Sequence, residues 1–386
     1  MPSVVILGTR GYPSYYGGFE TAVRKIAPYL AEHGWEVTVY GREGTTEPDD
    51  PQRDPRITCI TTRGLESKSF STLSHGFTAS LDTMKRKPDV ALIMNVANGF
   101  FLPMLRARGI PTLVNVDGIE WDREKWGKAA KVMFVTGARL TARWATEIIV
   151  DAEEIGRRWL SEFGRDGLFI PYGGDVVREL PVQPGLTHRG YALVVARFVP
   201  ENTIPEFFQA VERIADRQPV VIVGSSGYGG EFDEIAHDLA ERHGNVHAYG
   251  HISDDDLLQS LWQHAGAYFH GHSVGGTNPA LVQAMAAGAP TVARDTPYNR
   301  EVLQHHGVFV EADPEQIAVA IDTLLLDRSE QDRLSAGARA RAGTAYTWDD
   351  VCADYERALR GLIASPARAR GWHGDDGQPT AGLARL

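Results

Sequence analysis

The residues best suited to chemistry lie in the stretch GHSVGGTNPALVQ, between a predicted strand and a predicted helix. Gly275 and Gly276 let backbone N–H groups approach a ligand closely, because glycine tolerates conformations that other residues avoid. Thr277 or Asn278 suits the cap of a helix that begins near Pro279. Since a helix start offers N–H donors and a partial positive charge, this turn is typical of a diphosphate site. An ordinary strand-to-helix turn is the alternative interpretation.

Two other glycine-rich turns also follow predicted strands. Gly17 and Gly18 lie in GTRGYPSYYGGFE after the first strand, and Gly224 opens GSSGYGG in the second half of the chain. Each turn alone is a weak signal, because turns between strands and helices often contain glycine for structural reasons. Three such turns at equivalent positions favour close backbone approach to a phosphate or a sugar.

Two charged residues in predicted loops are candidate catalytic groups. Asp117, in NVDGIEW, follows a buried-looking strand, so its carboxylate is expected where a substrate hydroxyl can reach it. A turn or cap aspartate is the alternative. Arg197, in ARFVPEN, also follows a strand, and its guanidinium is suited to neutralise a leaving diphosphate. A surface ion pair is the alternative for this arginine.

Several classes of site lack their patterns in this sequence. The first strand is followed by GTRGYPSYYGG rather than by G-x-G-x-x-G leading directly into a helix, which disfavours dinucleotide binding. The chain contains no G-x-x-x-x-G-K-[ST] pattern, and its two cysteines, Cys59 and Cys352, are far apart. We therefore expect no P-loop, no metal and no cofactor.

The elements that position these residues alternate between strand and helix. SVVIL and WEVTVYG flank an amphipathic helical stretch, which predicts a right-handed β-α-β unit. The alternation continues to a stretch rich in Pro and Gly at 171–190, and then it restarts. With 386 residues the chain is long enough for two α/β domains, each with a mostly parallel sheet covered on both faces.

Composition bounds the setting in which the protein works. The sequence is 43% hydrophobic and 23% charged, as in soluble globular proteins. Two widely separated cysteines fit a reducing compartment. Neither a signal-peptide pattern nor an uninterrupted apolar run long enough to cross a bilayer is present. We expect a cytoplasmic protein, and the inner face of the membrane is the second location to consider.

A basic and aromatic segment at 123–147, with a second basic cluster at 84–88, raises the question of a membrane partner. The net charge is −11, but residues 1–180 hold 23 Lys and Arg against 23 Asp and Glu, so the acidic excess is C-terminal. A helix with one basic and one apolar face is typical of a segment near anionic lipid. A solvated helix packed on the sheet is the commoner interpretation, and no nucleic-acid partner is expected.

Together the motifs resemble those of the GT-B glycosyltransferases, specifically the retaining family 4 and its rhamnosyltransferase-like branch. The resemblance runs from GTRGYPSYYGGFETAVRKIAPYLAEHGWEVTVYGR through NVDGIEWDREKW, IPYGGD, ARFVPEN and GHSVGGTNP to AMAAGAP. It implies two Rossmann-like, doubly wound domains facing a cleft, an acceptor-side domain at 1–180 and a nucleotide-sugar domain at 186–347. A helix at 348–364 is expected to cross back to the first domain, and composition predicts a flexible tail at 365–386.

The resemblance also assigns roles to individual residues. It places Gly17 and Gly18 beside the donor phosphates and the transferred sugar, and Arg197 on the diphosphate. Asp117 stands where many relatives carry a histidine near the sugar. The other nucleotide-sugar contacts that it implies are Glu201, Asn202, Gly224, His272, Gly275, Gly276, Thr277, Asn278 and Gln283.

The sequence departs from the wider family at two places. Glu201 is followed by Asn202, where most relatives have a Glu-Lys pair, so one diphosphate cation is missing. Gly275 and Gln283 stand where the wider family carries two glutamates, although a glycine at 275 belongs to the branch pattern. Gln keeps one acceptor oxygen for a ribose hydroxyl but loses the strength of a charged acceptor. We expect weaker or altered nucleotide binding.

These features predict a retaining transfer of a hexose, with L-rhamnose or a similar deoxyhexose first, from a nucleoside-diphosphate sugar. The expected acceptor is a hydroxyl of a surface glycan or of a lipid-linked glycan. Two rival functions stay open: a nucleotide-sugar epimerase of the same fold, and a non-catalytic subunit that binds a nucleotide or a glycan.

Overall fold

The structure is a computed structural model that describes residues 1–15, 17–46, 49–64, 71–123, 126–175, 178–227 and 229–364. The chain divides into two compact units. Unit 1 comprises Met1–Asp122, Trp126–Pro171 and the C-terminal residues from Trp348, whereas unit 2 comprises Arg123–Lys125 and Tyr172–Thr347. The tail predicted at 365–386 lies outside the described residues, as do positions 124 and 125 of the basic segment.

Unit 1 is built on a sheet of seven parallel strands in the order β3-β2-β1-β4-β5-β6-β7. Valine, isoleucine and leucine dominate the central strands, and β4 is buried at every position, as expected for a sheet covered on both faces. The strands are β1 Ser3–Leu7, β2 Glu36–Arg42, β3 Thr58–Thr62, β4 Val90–Met94, β5 Thr112–Asn115, β6 Glu147–Val150 and β7 Leu168–Phe169.

The helices of unit 1 cover that sheet. They are α1 Gly18–Glu32, α2 Ser71–Arg86, α3 Leu102–Ala107, α4 Lys128–Trp144, α5 Glu153–Phe163 and a C-terminal helix, Trp348–Ala364. Short 3-10 helices at Val96–Phe101 and Glu120–Asp122 follow β4 and β5. The C-terminal helix packs against α1, β4 and β5, so the end of the described chain completes the core of this unit.

Unit 2 repeats the architecture with a sheet of six parallel strands in the order β10-β9-β8-β11-β12-β13. The strands are β8 Ala192–Val195, β9 Val220–Val223, β10 Val246–Gly250, β11 Ala267–His270, β12 Thr291–Arg294 and β13 Gly307–Val310. The helices are α6 Ile204–Ile214, α7 Glu231–Arg242, α8 Asp255–His264, α9 Pro279–Ala287, α10 Pro297–Leu303, α11 Pro314–Leu326 and α12 Arg328–Ala345. A 3-10 turn at Pro200–Asn202 precedes α6.

The sheet of unit 2 carries a hydrophobic cluster on each of its two faces. One cluster joins α6, α11 and part of α7, with Phe207 and Phe269 stacked at 5.0 Å between ring centroids. The other joins α8, α9 and α12 around Tyr268 and Trp262. The α/β class predicted from the sequence, with two parallel sheets, is confirmed.

Candidate functional site

In unit 2 the candidate residues gather where the order of the strands reverses. β8 lies between β9 and β11, so the chain leaves β8 toward one side of the sheet and later returns to the other side at β11. Loops at such a point diverge, and ligands of open α/β sheets bind at the crevice between them. The loop after β8 carries Arg197, and the loop after β11 carries the glycine turn.

The backbone of Arg197 is fixed while its guanidinium stays available. Its carbonyl oxygen accepts hydrogen bonds from the Val199 N–H and from the Asn202 side-chain amide, each at 2.9 Å. The side chain is exposed, and it makes no hydrogen bond or ion pair with any residue that the structure describes. A surface ion pair therefore does not account for Arg197 among these residues, and its charge is open to an anion.

Asn202 supports this loop. Its amide is spent on the Arg197 carbonyl, and its own N–H donates to the Val199 carbonyl oxygen at 3.0 Å. Asn202 is 4% exposed. A buried amide in this position shapes the arginine loop but supplies no positive charge, so Arg197 is the cation that this loop offers.

Glu201 ties the loop after β8 to the loop after β11. Its carbonyl oxygen accepts hydrogen bonds from the Ser273 N–H at 2.9 Å and from the Ser273 hydroxyl at 2.8 Å. Its carboxylate is buried, and neither of its oxygens has a hydrogen-bond partner within the described ranges. Because a buried carboxylate without donors is costly, this group is suited to receive hydroxyl or amide donors from a ligand.

The glycine turn after β11 leads into α9 with the geometry expected from the sequence. Asn278 is the cap residue: its side-chain oxygen accepts the Ala280 N–H at 3.0 Å, and Pro279 occupies the first turn. Gly275 has φ +125°, a conformation that residues with side chains disfavour, although a Cβ added here would meet no atom within 4 Å. Gly276 and Thr277 are buried behind it. A short loop, bent at Gly275, therefore connects the end of β11 to the start of α9.

Two stacked histidines lie beneath this turn. The rings of His270 and His272 are 4.4 Å apart at an interplanar angle of 11°, and His270 Nδ1 is 3.1 Å from the Tyr268 hydroxyl oxygen. Burial lowers the pKa of His270 to about 3. Burial, followed by the charges of His270 and Arg197, lowers the pKa of His272 well below its ordinary value. His272 is therefore a neutral hydrogen-bonding group near pH 7, and the arginines whose charge acts on it are Arg197 and Arg123.

The side chain of Gln283 is held by hydrogen bonds to two other residues of unit 2. Its amide nitrogen donates to the Asp175 carboxylate at 2.8 Å, and its amide oxygen accepts the Asp175 N–H at 3.3 Å. The same oxygen also accepts the side-chain amide of Gln259 at 3.0 Å. The one acceptor expected to serve a ribose hydroxyl thus already has two donors, and the nearest negative charge belongs to Asp175.

Gly224 has a structural reason to be glycine. Its φ is +145°, and a Cβ at this position would lie 1.8 Å from the carbonyl oxygen of Ala196. Its N–H donates to the Gly250 carbonyl oxygen at 2.8 Å, which joins the ends of two neighbouring strands. The contact of this glycine with a nucleotide stays a prediction, whereas its packing role is visible.

In unit 1 the loop after β1 brings Gly17 and Gly18 to the start of α1. Gly17 is the cap residue with an extended backbone, φ −172°, and Gly18 is the first helical residue. The loop is anchored by Glu20, which is 6% exposed and whose carboxylate accepts the Arg10 N–H at 3.0 Å. β1 lies where the strand order of this sheet reverses, so these glycines occupy the equivalent point of unit 1.

Asp117 follows β5 in a left-handed conformation, with φ +54°. Its N–H donates to the Asn115 side-chain oxygen at 2.9 Å, and the Asn115 amide donates to the Tyr355 hydroxyl at 2.6 Å. Non-glycine residues in this region of backbone space are uncommon and cluster at functional sites. Asp117 is therefore positioned at the carboxyl end of β5 by Asn115, which is itself hydrogen-bonded to the C-terminal helix. The sequence around Asp117 indicates a turn but does not reveal this distant contact.

Both parts of the chain match known families. Residues 17–173 match the family described as "Glycosyl transferase 4-like domain", and residues 178–341 match the family described as "Glycosyl transferases group 1". The chain belongs to the GT-B glycosyltransferases of this group. Sucrose-phosphate synthase from Thermosynechococcus elongatus has the same fold, with a TM-score of 0.79 and 20% identity over 95% of this chain and 100% of that one.

Two sequence relatives of this glycosyltransferase are named as mannosyltransferases. The phosphatidyl-myo-inositol mannosyltransferase of Mycolicibacterium smegmatis is 30% identical to this chain in a match that covers 54% of this chain. The same match covers 55% of the relative, so this chain spans about half of its length. The MMP alpha-(1->4)-mannosyltransferase of Mycolicibacterium hassiacum is 25% identical over 91% of this chain and 97% of its own length. The rhamnosyltransferase-like branch finds no counterpart in these two names.

No described helix is both long enough and apolar enough to cross a membrane. Within the described part of the chain, no group of three or more His, Cys, Asp or Glu side chains is arranged to hold a metal ion. Asp175, Gln259 and Ser273 are contacts of the site that residue types alone did not reveal, because their partners lie far away in the sequence.

Proposed function

We propose that this glycosyltransferase moves a hexose from a nucleoside-diphosphate sugar to a hydroxyl of a surface glycan or lipid-linked acceptor, with retention of anomeric configuration. The observation that supports this proposal most is Arg197. Its guanidinium is exposed and makes no ion pair with a described residue, at the point of the unit 2 sheet where ligands of this architecture bind. An anionic leaving group is the ligand that such a cation suits.

In this proposal Arg197 stabilises the departing diphosphate together with the backbone amides of Gly275–Asn278 and the start of α9. Oriented amides and a helix start act on developing negative charge without a metal ion. The neutral state of His270 and His272 means that acidification through the ordinary histidine range does not add a cation here. The departing phosphate helps to deprotonate the incoming hydroxyl.

Asp117 and the glycines of unit 1 complete the proposed assignment. Asp117 orients the transferred sugar or the acceptor, since its backbone is held in a strained conformation that presents the carboxylate at the end of β5. Gly17 and Gly18 allow the first turn of α1 to approach the sugar. Glu201, with two buried oxygens that lack described partners, accepts hydroxyl donors. Gly224 contributes to nucleotide binding through its backbone. Gln283 contributes through Asp175, to which it is hydrogen-bonded.

The identity of the sugar is the finer part of the proposal. The sequence expectation favours L-rhamnose, whereas the names of the relatives favour mannose. L-rhamnose is 6-deoxy-L-mannose, so the two candidate sugars differ in absolute configuration and at C6. A lipid-linked acceptor has support in a relative named for a phosphatidylinositol substrate. We therefore place L-rhamnose and D-mannose donors first among those to test, and we propose that the enzyme works at the inner face of a membrane.

The test is a transfer assay with nucleoside-diphosphate rhamnose, mannose and glucose on lipid-extracted acceptors, run beside thermal shift with the free diphosphates. Donor-dependent glycosylation that Arg197→Ala abolishes is the expected result, and a tight diphosphate raises the melting temperature. Conversion of the donor without an acceptor would identify an epimerase instead. Tight diphosphate binding without turnover on any extract would identify a binding subunit, and both outcomes would overturn the proposal.

A further inference from the structure

Three helices of unit 1 form a continuous surface of unusual charge, which we call the basic face. Helix α2 packs against α3, and α3 packs against α4. Their sequences contain seven Lys and Arg residues but only one acidic residue, Asp82, within a chain whose net charge is −11. The seven are Lys85, Arg86, Arg106, Lys128, Lys131, Arg139 and Arg143. These three helices therefore carry a local excess of positive charge on a protein whose net charge is negative.

Little of this charge is neutralised within the protein. The carboxylate of Asp82 accepts hydrogen bonds from the Arg86 guanidinium at 2.6 Å and from the Tyr40 hydroxyl at 2.9 Å. The one acidic residue of these helices therefore neutralises Arg86. None of the other six basic side chains makes an ion pair in the ranges that the structure describes. Arg106 and Arg143 lie instead 5.7 Å and 5.4 Å from the ring of Trp144. The basic face therefore presents unpaired cations beside an aromatic ring.

The same surface also exposes apolar side chains. Val132 is 66% exposed, Phe77 44% and Leu81 38%. On α4 the spacing of Lys128, Val132, Arg139 and Arg143 puts the valine on one side of the helix with three cations. The opposite side of α4 is buried through Phe134, Gly137, Ala138 and Thr141. The exposed side is thus a true surface of the unit, and it mixes cations with apolar groups.

Helix α2 shows the same mixture. Phe77, Leu81 and Lys85 follow one another at intervals of four residues, which places them on one face of the helix. Burial of leucine and phenylalanine away from water is favourable. A nucleic acid stacks its bases on aromatic rings such as Phe77, but the phosphate backbone that cations contact offers Leu81 and Val132 no apolar medium. The boundary between phospholipid headgroups and acyl chains offers both an apolar medium and negative charge.

We propose that the basic face docks this enzyme on an anionic phospholipid bilayer, with Phe77, Leu81 and Val132 inserted at the level of the headgroups. The inference rests on the proposed function in one respect, because a membrane surface is where a lipid-linked acceptor is found. It adds the surface, the side chains and the lipid charge. Each basic residue near an anionic membrane contributes about fivefold to binding.

Vesicle sedimentation tests the proposal directly. The full chain is mixed with vesicles of phosphatidylcholine and phosphatidylglycerol or of phosphatidylcholine alone. We expect it to bind the anionic vesicles, and the double variant Lys128→Glu/Arg139→Glu to bind them at least about tenfold more weakly. The matched control reverses two exposed arginines of unit 2, Arg213→Glu/Arg217→Glu, and is expected to bind like the wild type.

A second variant isolates the apolar contribution. Phe77→Ser/Leu81→Ser is expected to weaken binding to anionic vesicles by a factor that does not change with salt, whereas the effect of the charge reversals shrinks as salt rises. Melting temperatures of all variants are compared first, so that loss of binding is not loss of fold. Transfer to a soluble acceptor is expected to persist in every variant, which separates failure of docking from failure of the proposed function.

Three outcomes would overturn docking through this face. The first is equal binding of the wild type and Lys128→Glu/Arg139→Glu to anionic vesicles. The second is equal binding of the wild type to anionic and neutral vesicles. The third is binding of a single-stranded RNA oligonucleotide, at the same salt, more tightly than of the anionic vesicles, which would assign the face to a nucleic acid.

Discussion

Replacing Gln283 by glutamate restores the residue of the wider family, yet the structure predicts damage. Gln283 donates to the Asp175 carboxylate at 2.8 Å and accepts the Asp175 N–H at 3.3 Å. A glutamate keeps the acceptor but loses the donor. Gln283→Glu therefore sets a second carboxylate against the first, and the charge that would strengthen a bond to ribose works against the loop that carries Asp175.

The magnitude follows from two contributions to the free energy of unfolding. A hydrogen bond from a neutral amide to a carboxylate is worth about 1.5 to 3 kcal/mol. Two like charges about 4 Å apart repel by about 4 kcal/mol at an effective dielectric constant of about 20. Gln283 and Asp175 are both half-buried, so solvent screens part of the repulsion. We expect Gln283→Glu to lower the free energy of unfolding by about 2 to 4 kcal/mol near pH 7.

Urea unfolding at neutral and acidic pH checks this expectation. Repulsion raises the pKa of one carboxyl of the folded pair above its unfolded value, so the folded variant binds more protons over that interval. Its deficit relative to the wild type therefore shrinks as the pH falls and is full only above the raised pKa. The comparison is made between proteins at each pH, because His270 lowers the stability of both in acid.

Two further variants separate charge from hydrogen bonding. Gln283→Met removes the bonds without adding charge, so its deficit near pH 7 is expected to be smaller than that of Gln283→Glu. Asp175→Asn/Gln283→Glu reverses the polarity of the bond and is expected to recover most of the stability. A Gln283→Glu protein as stable as the wild type near pH 7, or one that the Asp175→Asn exchange fails to rescue, would refute the reasoning.

Three other substitutions test the site. Arg197→Ala is expected to lower kcat by about 10² to 10³, as loss of one stabilising group does, while urea unfolding changes by less than about 0.5 kcal/mol because the side chain is exposed; normal turnover would remove Arg197 from the mechanism. His270→Phe is expected to flatten the pH dependence of unfolding. The folded pKa of His270 is about 3, so the wild type loses about 2 kcal/mol from pH 6.5 to 5 as the unfolded chain gains a proton; an unchanged slope would contradict this. Gly224→Ala is expected to lower the melting temperature and to cost about 3 kcal/mol or more, given the 1.8 Å approach of a Cβ to the Ala196 carbonyl oxygen; Gly244→Ala, where no atom lies within 4 Å of the added carbon, is its control.

Local sequence patterns predicted those parts of the fold that depend on neighbours along the chain. The apolar runs of β4 and β9 and the glycine-bent start of α9 were readable, because periodicity and capping are local. No periodic pattern in the sequence indicates the 3-10 helix Val96–Phe101, because six residues are too few to show a period. With seven residues, α10 is likewise too short to show a period.

The candidate site was predictable in its residue types but not in its pairings. Asp175 and Gln283 meet although 108 positions separate them, and no local pattern links an aspartate in a loop to a glutamine in a helix. The low pKa of His270 is likewise a property of burial, which depends on both sheet neighbours of β11. Asn202 was understood as a missing cation, whereas its bond to the Arg197 carbonyl shows what the amide does instead.

These contacts imply that the donor site draws its positive charge from few groups. Asn202 is committed to the loop, His270 and His272 are neutral, and the residues from 181 onward hold 16 Lys and Arg against 27 Asp and Glu. A dianionic ligand near unit 2 therefore meets an acidic background, against which the two arginines near His272, Arg197 and Arg123, and the start of α9 supply positive charge. Arg197→Lys keeps the charge but loses the planar fork that grips two phosphate oxygens, which makes orientation the property that it changes most.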